Sequence, residues 1–186
     1  MTNRSPVAQW SDMEDSPESG TVSPAAVAQG ICLRLLTTRS RSRAELADAL
    51  RRRGIPEDIG EPVLDRLSEI GLVNDVAFAE AVVYSGHNHR GLGERALSTD
   101  LQRRGVPAEI NRVAVAKVRP EDEEQRAREL VQRKLRASTE RDATTLARRL
   151  GAMLARKGYS EELAWRVVRD ELGPGNWPAE VEPFPD

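Results

Sequence analysis

The 186-residue sequence is poor in the residues that usually carry chemistry: one cysteine, two histidines and 4% aromatic side chains. A single thiol cannot close an internal disulfide. Cys32 falls in the apolar pattern "ICLRLL", which reads as a buried side chain in a reducing compartment. No run of about 18 apolar residues occurs, so no membrane-spanning helix is expected. The start, "MTNRSPVAQWSDMEDSPESG", has neither a basic region nor an apolar core, so it does not read as a secretory signal, and a cytoplasmic location is expected. There is no GxxxxGK[ST] string and no strand pattern before a glycine cluster, so no phosphate loop is foreseen. The histidines, His87 and His89, lie in "GHNHRGLG", read as a loop. Zinc there would need carboxylates to complete its shell. An enzyme built on His87, His89 and nearby acids is one reading, and loss of a hydrolytic activity in His87→Ala would mark it. No triad or cofactor motif supports it, so no catalytic, cofactor or metal site is expected.

What the chain does have is charge, 31% of its residues, unevenly spread. Residues 1–24 carry Arg4 against Asp12, Glu14, Asp15 and Glu18, and residues 174–186 carry Glu180, Glu182 and Asp186 with no base. Each end is therefore −3, which leaves +4 on the body from the overall −2. The ends are also rich in proline and serine, and read as a disordered acidic arm (1–24) and a flexible acidic tail (174–186).

The body repeats itself. "LRRRGIPEDI" from Leu50, "LQRRGVPAEI" from Leu101 and "LARKGYSEEL" from Leu154 are one phrase written three times. Leu46 and Leu50, Leu97 and Leu101, and Leu150 and Leu154 share a helical face by their i, i+4 spacing. Arg52-Arg53, Arg103-Arg104 and Arg156-Lys157 suit the negative end of a helix dipole. Gly54, Gly105 and Gly158 suit the left-handed stop. Pro56, Pro107 and Ser160 suit a new helix start, and Ile59, Ile110 and Leu163 resume the apolar stripe. Fixed-period self-similarity is the mark of repeat architecture.

The remaining segments fill out three units. Ser23 and Pro24 open a first helix with Val27, Ile31 and Leu35 on one face. Ser42 with Glu45 forms a capping box for a second. "PEDIGEPVLDRLSEI" predicts a third, burying Ile59, Val63, Leu67 and Ile70, that starts late or kinks because of Gly60 and Pro62. Asn74 or Asp75 caps the next, with Phe78 and Val82 inward. Pro120 opens the third unit, where the acids from Glu121 to Glu124 suit a helix N-terminus. The expected fold is all-α: three tandem three-helix repeats, at 25–72, 73–119 and 120–173, in an elongated, curved array. Each triplet is marginal alone, so neighbours are expected to supply the missing contacts.

With chemistry scarce, surface remains. Arg39, Arg41 and Arg43 lie at a helix junction and Arg51, Arg52 and Arg53 close the second helix; a cluster of this kind neutralises phosphates. A helix–turn–helix regulator of sequence-specific DNA binding is the alternative, although three weakly charged copies in a row are unlike one groove-reading module.

Three segments, "SRAELADALRRRGI", "GLVNDVAFAEAVV" followed by "HRGLGERALSTDLQRRGV", and "LARRLGAMLARKGYSEELAWRVV", resemble the RecX family of regulators of the RecA recombinase. Leu72, Val73, Asn74, Asp75, Phe78 and Ala79 match its hydrophobic-Asn/Asp-Asp and Phe-Ala pattern, and Arg90 and Gly91 match an R-G lead-in; Pro62 departs from it. The resemblance spans about residues 25–172. It implies a non-enzymatic, monomeric regulator that lies on the RecA–single-stranded DNA filament and mainly inhibits ATP hydrolysis, strand exchange and co-protease activity. Weak binding to free DNA is also implied, and no membrane or cofactor. The candidate contacts are Arg39, Arg41, Arg43, Arg51, Arg52, Arg53, Arg90, Arg103, Arg104, Arg156 and Lys157.

Overall fold

The computed structural model describes residues 23–178, so the expected character of residues 1–22 and 179–186 lies outside the described part. Among the described residues there are nine α-helices and no strand: α1 (Pro24–Thr38), α2 (Arg43–Arg51), α3 (Glu57–Glu69), α4 (Asp75–Asn88), α5 (Glu94–Arg103), α6 (Ala108–Val115), α7 (Pro120–Arg136), α8 (Ala143–Arg156) and α9 (Glu161–Leu172). They form three successive triplets.

Each thrice-written phrase is a corner between the second and third helix of a triplet. All six leucines of the paired positions are buried. Gly54, Gly105 and Gly158 each have positive φ, a conformation that costs any residue with a Cβ. The residue after each glycine also turns inward: Val106 and Tyr159 are buried and Ile55 packs on the first core. Side-chain caps form at Ser23, Ser42, Asn74, Asp142 and Ser160.

Three details differ from expectation. In α1 the buried face is Ala28, Ile31 and Cys32, while Val27 is 41% exposed. Helix α3 begins at Glu57 rather than late, and Pro62 lies inside it. Its first turn closes on the Pro56 carbonyl, which accepts from the Gly60 amide at 2.9 Å, and the proline ring faces solvent. Gly60 is there for space, since a Cβ would stand 3.3 Å from Leu50 Cδ1. The face that burial selects is Gly60, Leu64 and Leu67, which leaves Ile70 52% exposed. Finally, the chain does not come loose after Gly173. A 3-10 turn at Pro174–Asn176 brings Trp177 edge-on to Trp165, with ring centroids 6.2 Å apart, and under the Arg169 guanidinium.

The apolar side chains gather in three separate clusters, one per triplet. Val73 belongs to the first. The neighbouring triplets therefore do not share one core; what joins them is mainly polar.

Candidate protein and nucleic-acid interface

The joint between the first two triplets starts at Ser42. Its hydroxyl donates to the Arg104 carbonyl oxygen at 2.6 Å and accepts from the Glu45 amide at 3.0 Å. Beside it, the Arg43 amide donates to Asp75 Oδ1 at 2.8 Å, so the acid that opens α4 also caps α2. Arg104 reaches back to Glu45 at 3.4 Å and lies 5.9 Å from the Phe78 ring centroid. Gly105 makes room, because a Cβ there would overlap Ala44.

The second joint repeats the plan. The Gly93 amide donates to the Lys157 carbonyl at 2.9 Å, in the positions that Ser42 and Arg104 hold one unit earlier. The Arg95 amide donates to the Gly158 carbonyl at 3.1 Å, and a Cβ on Gly158 would overlap Ala96. Glu123, expected only to complement a helix dipole, accepts from the Glu94 amide at 2.8 Å. Lys157 Nζ donates to the Arg90 carbonyl at 2.6 Å, and the Tyr159 hydroxyl to the Gly91 carbonyl at 3.2 Å. The phenol is buried, which pushes its pKa above the ordinary value.

Several of the arginines singled out from sequence are engaged within the protein, some at a joint and others inside their own triplet. Asp100, 5% exposed, takes Arg90 at 2.9 Å, Arg103 at 2.8 Å and Arg104 at 3.1 Å. Burial opposes its ionisation, but the three guanidinium hydrogen bonds prevail and hold its pKa at about 2. Through Arg104 and Glu45 the network extends to Arg39, which donates to Glu45 at 3.0 and 3.2 Å. Arg43 pairs with Glu61 and Asp65, and Arg51 with Asp48. Arg41 and Arg53 donate to the Leu35 and Ala49 carbonyls. Of the eleven candidates, Arg52 and Arg156 are the exposed pair whose side chains engage no described residue. Arg95 and Arg148, which lie outside the repeated phrase, are exposed and make no ion pair among the described residues.

Of the two histidines, His87 lies in a helix rather than a loop, while His89 falls in the turn that follows. Helix α4 runs to Asn88, and His87 is buried with Nδ1 3.3 Å from the Leu92 carbonyl oxygen. His89 is exposed and meets Tyr84 edge-on. Cys32 is buried, which raises its thiol pKa. Among the described residues no group of three or more His, Cys, Asp and Glu side chains gathers at metal-binding distance. No helix there is long and apolar enough to cross a membrane.

The triplets coincide with known domains. Residues 28–67 match the first three-helix domain of RecX, 74–114 the second and 121–168 the third. The chain belongs to the RecX family. The regulatory protein RecX of Thermobifida fusca is 50% identical over 164 residues, covering 87% of this chain and 89% of that protein. Regulatory protein RecX of Streptomyces lividans is 54% identical over 149 residues, covering 80% and 79%. RecX from Lactobacillus salivarius has the same fold in its crystal structure, with a TM-score of 0.69 at 20% identity over 79% of this chain and 96% of that one. The RecX family is thus one of regulatory proteins built from tandem three-helix domains. Its pattern residues here serve the joints: Asn74 caps α4, Asp75 caps α2, Phe78 lies by Arg104, and Arg90 and Gly91 meet Lys157 and Tyr159.

Proposed function

We propose that the chain is a non-catalytic, monomeric cytoplasmic regulator that binds the RecA–single-stranded DNA filament and mainly inhibits its ATP hydrolysis, strand exchange and co-protease activity. The observation that carries this reading is the row of three RecX domains, each joined to the next through an equivalent corner. Polar joints of fixed geometry set the spacing between units, so successive domains can engage successive protomers of a filament, and linked contacts raise apparent affinity without new chemistry. The body carries a net charge of only +4, a weak pull toward phosphate, which favours binding to an assembled protein–DNA surface over avid binding to free duplex.

Sub-stoichiometric amounts of the chain should lower DNA-dependent ATP hydrolysis by RecA. Hydrolysis untouched at excess protein would reject the reading. Protection of a discrete site on naked duplex, with no recombinase present, would favour a sequence-specific DNA-binding regulator instead.

A further inference from the structure

A groove of about 460 Å³ opens between the start of α5 and the α8–α9 pair. Arg95, Arg148, Glu161 and Trp165 line it, together with Gly151 and Ala152 of α8.

The indole is a fixed platform. A Cβ on Gly151 would stand 2.7 Å from Trp165 Cη2 and 2.8 Å from Cζ3, so the ring lies across bare backbone of α8. Trp177 braces its edge, and Nε1 donates to Glu161 Oε1 at 3.4 Å. The ring is only half-buried. Two arginines line the same groove, and neither has a carboxylate within ion-pair distance among the described residues. Neither Arg95 nor Arg148 makes a side-chain hydrogen bond with a described residue, although, after the hydrogen bonds from Thr145, the Arg148 charge helps to lower the pKa of Asp142 at the start of α8. The Arg95 backbone is nonetheless pinned by its amide hydrogen bond to Gly158, which also lines the groove.

Two exposed guanidiniums lining one groove, neither bound to a carboxylate, favour a phosphate there, and a held, half-exposed indole favours a flat ring. Glu161 gives the site a direction. Its carboxylate repels phosphate from the tryptophan end, and it accepts hydrogen bonds from exocyclic amino groups, which cytosine, adenine and guanine carry and thymine lacks. The volume falls within the range of small-ligand pockets. We propose that this groove holds one nucleotide of single-stranded DNA, its base against Trp165 and a flanking phosphate between Arg95 and Arg148, with Glu161 selecting amino-bearing bases. The proposal deepens the reading of the chain as a regulator working beside single-stranded DNA, and it names the DNA-facing side.

The test uses the full chain and fluorescence anisotropy of labelled twelve-residue oligo(dC) and oligo(dT), across salt and with no recombinase. Oligo(dC) should bind several-fold tighter than oligo(dT) and quench tryptophan emission. The double variant Arg95→Gln/Arg148→Gln should lose roughly tenfold in affinity and about one to two units of salt slope. Trp165→Leu should lose about tenfold. Glu161→Gln, which can accept or donate, should erase the preference for dC. The three polar positions are exposed, so unchanged urea midpoints are expected for their variants, which keeps the test valid if Trp165→Leu unfolds.

Wild-type affinity in the double arginine variant overturns the proposal, as does equal binding of duplex, no dC preference in the wild type, or no oligonucleotide binding at all. Loss of binding to DNA-free RecA in these variants, with oligonucleotide binding intact, would make the groove a protein dock and also overturn it. Because no recombinase is present in the main assay, each of these results leaves the ATP-hydrolysis test of the wider function to stand or fall by itself.

Discussion

The Ser42 hydroxyl donates to the Arg104 carbonyl oxygen at 2.6 Å, across 62 residues of chain, while accepting from the Glu45 amide three residues on. One buried oxygen therefore caps a helix and clasps two domains. Ser160 caps α9 in the same way, accepting from the Leu163 amide at 3.2 Å, but makes no bond to another triplet among the described residues.

The pair allows the two roles to be separated. Ser160→Ala should cost about 1 kcal/mol, the usual value of a cap. Ser42→Ala should cost about 1 kcal/mol more, for the lost inter-domain bond. Urea unfolding of the two variants gives the difference directly. Equal losses would mean that the Ser42–Arg104 bond adds nothing to stability.

The corners make a second comparison. Gly54, Gly105 and Gly158 all have positive φ, so each should lose about 1 kcal/mol on replacement by alanine. Gly54 has open space around its Cβ position, whereas Gly105 and Gly158 face Ala44 and Ala96 of the preceding domain. Overlap of this kind costs a further 1–3 kcal/mol or so. Gly105→Ala and Gly158→Ala should therefore unfold at distinctly lower urea concentration than Gly54→Ala, while all three keep the helical circular-dichroism signal in water.

Helix triplets, corner glycines and paired leucines were legible in the sequence because each is local: a period, a cap, a stop. The joints were not. Arg104 and Glu45 are 59 residues apart and Arg90 and Asp100 are 10 apart, and no local pattern pairs them. For that reason the roles of Arg90 and of the Arg104–Glu45 contact were hidden, whereas the i, i+3 and i, i+4 spacing of Asp100 to Arg103 and Arg104 is a local helix pattern that the sequence does carry. Pro62 misled in a different way. Proline removes an amide donor, but α3 keeps it on the solvent side and gains more from burying Leu64 and Leu67 than it loses. His87 was hidden because a glycine and a polar pair at the end of α4 mimic a loop. The groove at Trp165 was unreadable because Arg95 and Trp165 come from different domains and meet only in space.

Asp100 carries a pH dependence. Its pKa is about 2 in the folded chain against 3.8 when unperturbed. A depressed carboxyl contributes stability that is complete above the unfolded value and is lost as pH falls through the folded one. The contribution is on the order of 2 kcal/mol, and it should fade between about pH 4 and pH 2. Asp100→Asn should remove it at neutral pH and flatten stability across that acid window, leaving Arg90, Arg103 and Arg104 without their common anion. Urea titrations at pH 7, 4 and 3 check this, and an unaltered acid slope in the variant would show that other carboxyls carry it.

The same distinction between engaged and free arginines separates stability from binding. Arg104 sits in the joint, held by Asp100 and Glu45 and lying by Phe78. Arg52 is exposed and engages no described residue. Arg104→Gln should lower the urea midpoint by the equivalent of about 1–3 kcal/mol, since it breaks hydrogen bonds to a buried charge. Any loss of filament binding should follow from that. Arg52→Gln should leave the midpoint within about 0.5 kcal/mol of the wild type. If the first corner faces the filament, extending the change to Arg51→Gln and Arg53→Gln weakens co-sedimentation with RecA filaments and flattens its salt dependence while the helix signal persists. Unchanged co-sedimentation of the triple variant would assign the run to helix termination alone and move the contact surface to the free arginines of the third domain.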